Sequence, residues 1–512
     1  MLATLYKLRP TGGFTLIDDD GAGLGPERDA WLGSLKSRRP EEAVRLIDER
    51  MNMLQAARLS APETIAALTT IQDALTDVLA RRDAARMRDE IAVTSAEAEL
   101  VLAFLTLFKR IAGWYLEAAE AVAPRWFRKS QGAVFDIALA QGATAVLQRI
   151  ELAHRVYARS SPSGWRQLCR FTRMAQARAG RDGERLLTEI ERLHARALLF
   201  EMADPNRLHP AASEQLRAYL KRHGALARIV RAGELAAPDR NKAGVHALDG
   251  DGRHVQAAAA PERGPSFADA LVLDTRQLLA RLERQLTGLA AGVDPARLGL
   301  PREARQPQFQ DFLSGLASRW SGRGPRKHSR NRFLPRARLA VGFERILASL
   351  AEAAGDGPRD GGSAERWMIV DECAAGFGLS QLASAPTGIR VGDLCCVRAD
   401  GRTEVHLGLI RRAEFRSPRS SVLGIELIGS RGEHCHIIDP AQPEHAGNTT
   451  AVIRVGRLPG RESGAGLICR SGDVAEGDPI LLESGDGLRL RHVSGVAPVA
   501  NGVDLVLLDP QS

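Results

Sequence analysis

The chain has 512 residues, too many for one hydrophobic core and enough for roughly three domains. Hydrophobic residues at 44% and charged residues at 26% are ordinary for a soluble globular protein, and aromatics at only 5% with abundant Ala, Leu and Arg argue against an all-β chain and for long helices. The formal charge of +8 and a pI near 9.4 come mostly from arginine, which suits phosphate-bearing partners and equally suits a genome that writes Arg in place of Lys; charge alone speaks to solubility and association, not to function.

Met1 to Pro10 lacks the apolar core of a secretory signal. The best apolar run, Ala98 to Ala112, is broken by Glu99, Lys109 and Arg110, so no membrane span is expected and the chain reads as cytoplasmic. Cys169, Cys373, Cys395, Cys396, Cys435 and Cys469 have no paired spacing of the metal-site kind and read as small buried hydrophobes of a reducing compartment. The adjacent pair Cys395 and Cys396 lies in a strand, where neighbours face opposite ways. His434-Cys435-His436 has no second cluster to complete a site, so no metal is expected.

Residues 1–26 carry a short strand at Gly13 to Ile17 and a turn-rich tract, and residues 27–235 read as a helical bundle. A capping box, Ser60-Ala-Pro-Glu63, opens a helix whose Ile65, Leu68, Ile71, Leu75, Val78 and Leu79 share one face. The next helix begins at Thr94-Ser-Ala-Glu97 and is apolar nearly all round from Leu100 to Phe108, which places it at the bundle centre. Trp114 and Tyr115 follow among Lys109, Arg110, Arg125, Trp126 and Arg128, but without the spacing of a nucleic-acid module, so no nucleic-acid partner is expected. Leu147, Ile150 and Leu152, then Trp165, Leu168 and Phe171, flank the turn Ser160 to Gly164 as a helical hairpin, and helices are expected at 183–203 and 211–233.

Residues 236–266, rich in Gly, Ala, Pro and charge, read as a linker or loose β-excursion, and 267–325 as connecting helices. Among these, Asp274 to Leu289 carries a leucine stripe that packs on the bundle or on another subunit, and Gln308 to Trp320 forms a second helix. After them stands an arginine cluster, Arg326-Lys-His-Ser-Arg-Asn-Arg-Phe-Leu-Pro-Arg336, whose guanidinium pairs four residues apart suit a phosphate or a purine edge. A strand, Arg338 to Phe343, and a helical insert, Glu344 to Ala354, lead to Trp367-Met-Ile-Val-Asp-Glu-Cys-Ala-Ala-Gly376, a strand running into a tight turn that presents Asp371, Cys373 and Gly376. No phosphate-binding loop, zinc-protease helix or serine nucleophile turn occurs, so an enzyme is not expected.

An R-x-x-x-R arm followed by a D-x-[small]-x-x-G strand-turn resembles the PilZ family of bacterial cyclic di-GMP receptors. Gly388 to Leu394, Val405 to Arg412 and Val422 to Leu427 resemble the family's later barrel segments in the same order, so the likeness covers residues 326–430. It implies a six-stranded antiparallel β-barrel and a signal-transduction role with cyclic di-GMP as ligand and no cofactor. In the resemblance Arg326 and Arg330 wrap the nucleotide, Asp371 accepts from guanine, Cys373 stands where the family has serine, and Gly376 admits close backbone approach; Arg332 and Arg336 form a second frame of the same spacing. The helical insert departs from a minimal barrel, and can cover or prop the ligand face. Residues 431–512 hold five short strands at near-regular spacing, read as a further small β-domain packed on the first. The whole is an α+β multidomain chain: a cyclic di-GMP effector that signals to its helical region or a protein partner, or else a degenerate PilZ-like scaffold that binds protein and no nucleotide.

Overall fold

The computed structural model describes residues 24–57, 59–89, 95–123, 129–179, 183–236, 239, 242–253, 270–322, 335–354, 365–373, 375–381, 388–402, 404–417, 420–438, 440, 449–457, 466–484 and 487–509. The expected strand at Gly13 to Ile17 lies outside them. The chain divides into two compact units, residues 1–90 and 91–512.

The first unit contains α1 (Leu24–Ser37), α2 (Pro40–Ala56) and α3 (Ala61–Asp89). Ser60 caps α3 as its sequence predicts: the backbone N–H and the hydroxyl of Ser60 both donate to Glu63 Oε2, at 2.9 and 2.6 Å. Ile65, Leu68, Ile71, Leu75 and Val78 are buried on one stripe, with Leu35, Val44, Ile47 and Met51 among the other core residues of this unit. Arg81 donates to the carbonyls of Leu35 and Lys36, satisfying the C-terminal end of α1.

The second unit opens with α4 (Ser95–Val122), α5 (Lys129–Ala153), α6 (Pro162–Arg178), α7 (Glu184–Met202) and α8 (Pro210–His223). α4 buries a wide arc, including Val101, Phe104, Phe108, Ile111 and Tyr115, but Leu102, Thr106 and Lys109 form an exposed strip, so the helix is central without being enclosed. α8 stops ten residues before the sequence predicted, because Arg228-Ile-Val-Arg231 is β-branched at its centre and forms a strand, β1. β2 (Val245–Ala247) and β3 (Leu271–Asp274) complete an antiparallel three-stranded sheet in the order β1-β3-β2. α9 (Arg276–Ala290) buries Leu278, Leu282 and Leu289 within the unit, and α10 (Pro307–Trp320) ends on a buried Trp320 whose indole donates to Leu199 O of α7 at 2.9 Å. His246 of β2 and Thr275 both donate to the carbonyl of that tryptophan, which ties sheet, α9 and α10 together through satisfied buried groups.

β4 (Arg336–Val341), β5 (Glu365–Cys373), β6 (Gly376–Gln381), β7 (Leu394–Ala399), β8 (His406–Ser417) and β9 (Ser420–Ile438) close a six-stranded antiparallel barrel in the order β4-β7-β8-β9-β6-β5, with β5 pairing back onto β4. Its core holds Leu339, Trp367, Ile369, Phe377, Leu379, Cys395, Ile410, Leu423 and Ile425. β9 is long enough to serve twice: from Ser430 onward, past Arg431 at φ 58°, it pairs with β10 (Thr449–Arg457), and its last residues pair with β12 (Pro479–Ser484). With β11 (Gly466–Arg470), β13 (Gly487–Ala500) and β14 (Val503–Leu508) these strands form a second closed ring, β9-β10-β11-β14-β13-β12. The helical insert, α11 (Phe343–Ala354), puts Phe343, Ile346, Leu347 and Leu350 into the seam between the rings, against Ala340, Cys396 and Leu407 of the first and Ile453, Val455 and Ile468 of the second. Cys395 and Cys396 face opposite ways as predicted, one into the first barrel and one into this seam.

Candidate functional site

Regular alternation along β5 would send Asp371 inward, because Trp367 and Ile369 both face the barrel core. A bulge prevents this: Ile369 pairs with Leu379, whereas Asp371 pairs with Gly378, leaving Val370 as the extra residue. The one-residue slip turns Asp371 and then Cys373 to the outer face. There the Asp371 carboxylate lies over Gly378; a Cβ at that glycine would stand 2.3 Å from Asp371 Oδ1. Cys373 is half-buried and pairs with Gly376 across the turn.

Gly376 is required by the barrel itself. A Cβ there would meet the Ile425 carbonyl oxygen of β9 at 1.9 Å, a backbone atom that cannot yield while β6 and β9 are paired. Packing against the neighbouring strand by itself requires a glycine at this position. The chain enters β4 at Pro335, whose carbonyl accepts from Ile369 N at 2.9 Å, so this entry point lies beside the bulge. Arg326, Arg330 and Arg332 lie outside the described residues. Arg336 is exposed and outward-facing, opposite Met368 on β5. The next outward position, Arg338, has Arg366 and Arg398 directly opposite on the flanking strands, and among the described residues no ion pair neutralises these three. Like charges set side by side are unfavourable in a sheet and leave a positive surface at the arm's entry.

Two features of the first barrel were missed in the sequence. Gly378 pairs with Gly424 of β9, which pairs with Arg412 of β8, so Asp371 and Arg412 flank a row whose two middle positions, on β6 and β9, carry no side chain. The signal for the first was present as Gly376-Phe-Gly378, a repeat of period two that puts both glycines on one face. The second is a junction. Tyr157, at φ 54° between α5 and α6, is 2% exposed and belongs to the first barrel's core. Its hydroxyl accepts from Val391 N at 3.1 Å and its carbonyl from Phe415 N at 3.0 Å. Beside it Arg159 is 3.6 Å from Glu414, which also receives a hydrogen bond from Arg412 Nη2 at 2.8 Å.

A concavity of about 660 Å³ lies elsewhere, between α7 and β1, lined by Glu191, Arg192, Arg228, Arg231 and Glu234; it gathers none of the motif residues. Burial and the nearby Glu234 raise the pKa of Glu191 despite its hydrogen bond from Gln176. Among the described residues no group of His, Cys, Asp and Glu is placed to hold a metal ion, His434-Cys435-His436 included. Among those residues, too, no helix is long and apolar enough to cross a membrane.

Residues 27–233 match the family described as the N-terminal domain of the cyclic-di-GMP receptor FimW. The match takes in α2 to α8 and most of α1, less than half of the chain, and stops before the barrel. No curated protein matches the chain.

Proposed function

We propose that the chain is a cyclic di-GMP effector: the first barrel binds the nucleotide on its outer face, and the helical region or a protein partner receives the signal. The observation that carries this reading is the bulge at Val370, which turns Asp371 and Cys373 outward beside the point where the arginine arm joins β4. The resemblance of the helical region to the N-terminal domain of a cyclic-di-GMP receptor supports it from a separate part of the chain. Arg338, Arg366 and Arg398, set side by side across three strands, suit a dianionic ligand.

In this reading Arg326 and Arg330 wrap the ligand, contacting phosphate and the Hoogsteen edge of guanine, and Asp371 accepts from the Watson–Crick edge. Cys373 contributes a weak donor where a serine would contribute a strong one. The site binds and does not catalyse, and the protein works in the cytoplasm. The domain division follows the same lines: a helical domain at 27–235, connecting segments to 325, a nucleotide-binding barrel at 326–430 and a C-terminal β-domain at 431–512.

Calorimetric titration of single variants tests the assignment. Arg326→Ala and Arg330→Ala each remove charge-assisted hydrogen bonds of about 1.5–3 kcal/mol, which weakens binding by about one to two decades. Losses confined to Arg332→Ala and Arg336→Ala would move the grip to the second frame. Absence of binding in wild type and in Cys373→Ser alike would leave the protein-binding scaffold.

A further inference from the structure

We propose that Arg412 is a further ligand-gripping residue, on the opposite side of the glycine floor from Asp371, and that it exchanges Glu414 for a phosphate of the nucleotide when ligand binds. The inference rests on the reading of the first barrel as a nucleotide site, and deepens it.

Arg412 reaches the outer face by the same device as Asp371. Ile410 faces the core, so alternation would send Arg412 inward; a bulge pairs Ile410 with Ile425 and Arg412 with Gly424, leaving Arg411 as the extra residue. Two bulges, one on each flank, thus turn one carboxylate and one guanidinium to the same outer row. Between them stand Gly378, buried beneath the Asp371 carboxylate, and Gly424, half-buried beside Arg412 Cβ. Three strand spacings separate the two charged residues, about 14 Å measured along the curved wall of the barrel. Acceptors on one side suit guanine, and donors on the other suit phosphate.

The guanidinium has donors to spare. It is 39% exposed, gives one hydrogen bond to Glu414 through Nη2, and its Nε is buried with no hydrogen-bond partner among the described residues. Glu414 is 1% exposed and keeps Arg159 at 3.6 Å if Arg412 leaves, so the exchange does not strand a buried charge. Arg159 is two residues from Tyr157, the helical region's insertion into the barrel. Moving Arg412 therefore changes the charge balance at the junction through which the barrel meets that region.

The test is calorimetric titration of the full chain with cyclic di-GMP, comparing wild type, Arg412→Ala, Arg412→Lys and Glu414→Gln, with melting profiles to confirm folding. Arg412→Ala is expected to weaken binding about ten- to a hundredfold, with Arg412→Lys between it and wild type. Glu414→Gln is expected to tighten binding several-fold, because the ligand no longer competes with a carboxylate for Arg412. A residue that only supports the fold would not give opposite signs for the two partners. Wild-type affinity in Arg412→Ala, or equal weakening in Glu414→Gln, overturns this inference and leaves the nucleotide site standing. No binding by wild type overturns the nucleotide reading and this inference together.

Discussion

Tyr157 is a side chain from between two helices that completes the core of the first barrel, and removing it should separate the two. Tyr157→Phe deletes the hydroxyl that accepts from Val391 N, leaving a buried N–H without a partner at a cost of about 1–3 kcal/mol. The same hydroxyl's contact to Leu208 O, at 3.5 Å, is too long to add much. Tyr157→Ala adds a cavity in the cluster of Trp367, Ile389, Val391 and Phe415, and large-to-small changes of this kind cost about 3–5 kcal/mol. Guanidinium unfolding followed by tryptophan fluorescence reports both sides of the junction, since Trp367 is buried in the barrel and Trp165 and Trp320 in the helical part. A chain of several units has no single unfolding free energy, so the comparison is between midpoints of separate transitions. Tyr157→Phe should lower the barrel midpoint modestly, and Tyr157→Ala should lower it further and split the profile. An Ala variant that unfolds with the wild-type midpoint would refute the reasoning.

Adding one methyl at neighbouring glycines should have different consequences. Gly376→Ala meets backbone 1.9 Å away and should destabilise the barrel, visible as a lower melting temperature. Gly378→Ala has as its nearest neighbours the movable carboxylate of Asp371, so the fold should persist while nucleotide affinity falls; equal melting losses in both would contradict this. Cys373→Ser should hold or raise nucleotide affinity, since it supplies a stronger donor and acceptor at similar size, and a clear loss by calorimetry would contradict the hydrogen-bonding role proposed for this position. His194 is fully enclosed, its Nε2–H donating to Gly252 O at 2.8 Å, and burial lowers its pKa to about 4. Because an unfolded histidine titrates near 6.5, this ring stabilises the fold fully above that pH and progressively less as pH falls towards 4, by about 3 kcal/mol in all. Denaturant midpoints measured from pH 7 to 4 should fall less steeply in His194→Gln than in wild type; parallel slopes would count against it.

What could be read from the sequence was local. The Ser60 to Glu63 cap, the α3 stripe and the opposite facings of Cys395 and Cys396 depend on residues close in the chain, and each is present as predicted. The end of α8 was missed because β1 exists only through its pairing with β3, forty or more residues away. The outward turn of Asp371 was predicted from the motif, yet the alternation Trp367-x-Ile369-x-Asp371 by itself argues for the opposite face. Only the register against β6, with its slip after Ile369, decides between them. Arg412 and Gly424 escaped notice as site residues for the same reason: their place in the row follows from a slip on β8 and from which strands close the ring. Tyr157 reads as one more apolar residue at the end of a helix, and nothing within its own segment signals that a barrel will surround it.

The central claim is that this chain holds cyclic di-GMP, and isothermal titration of the unmodified full-length protein with that nucleotide tests it most directly. The account predicts saturable binding with micromolar or tighter affinity, weakened by added salt because arginines carry the contact to phosphate, and no comparable heat from cyclic di-AMP, which lacks the guanine donors that Asp371 accepts. No saturable heat with cyclic di-GMP, or equal affinity for both nucleotides, would contradict it.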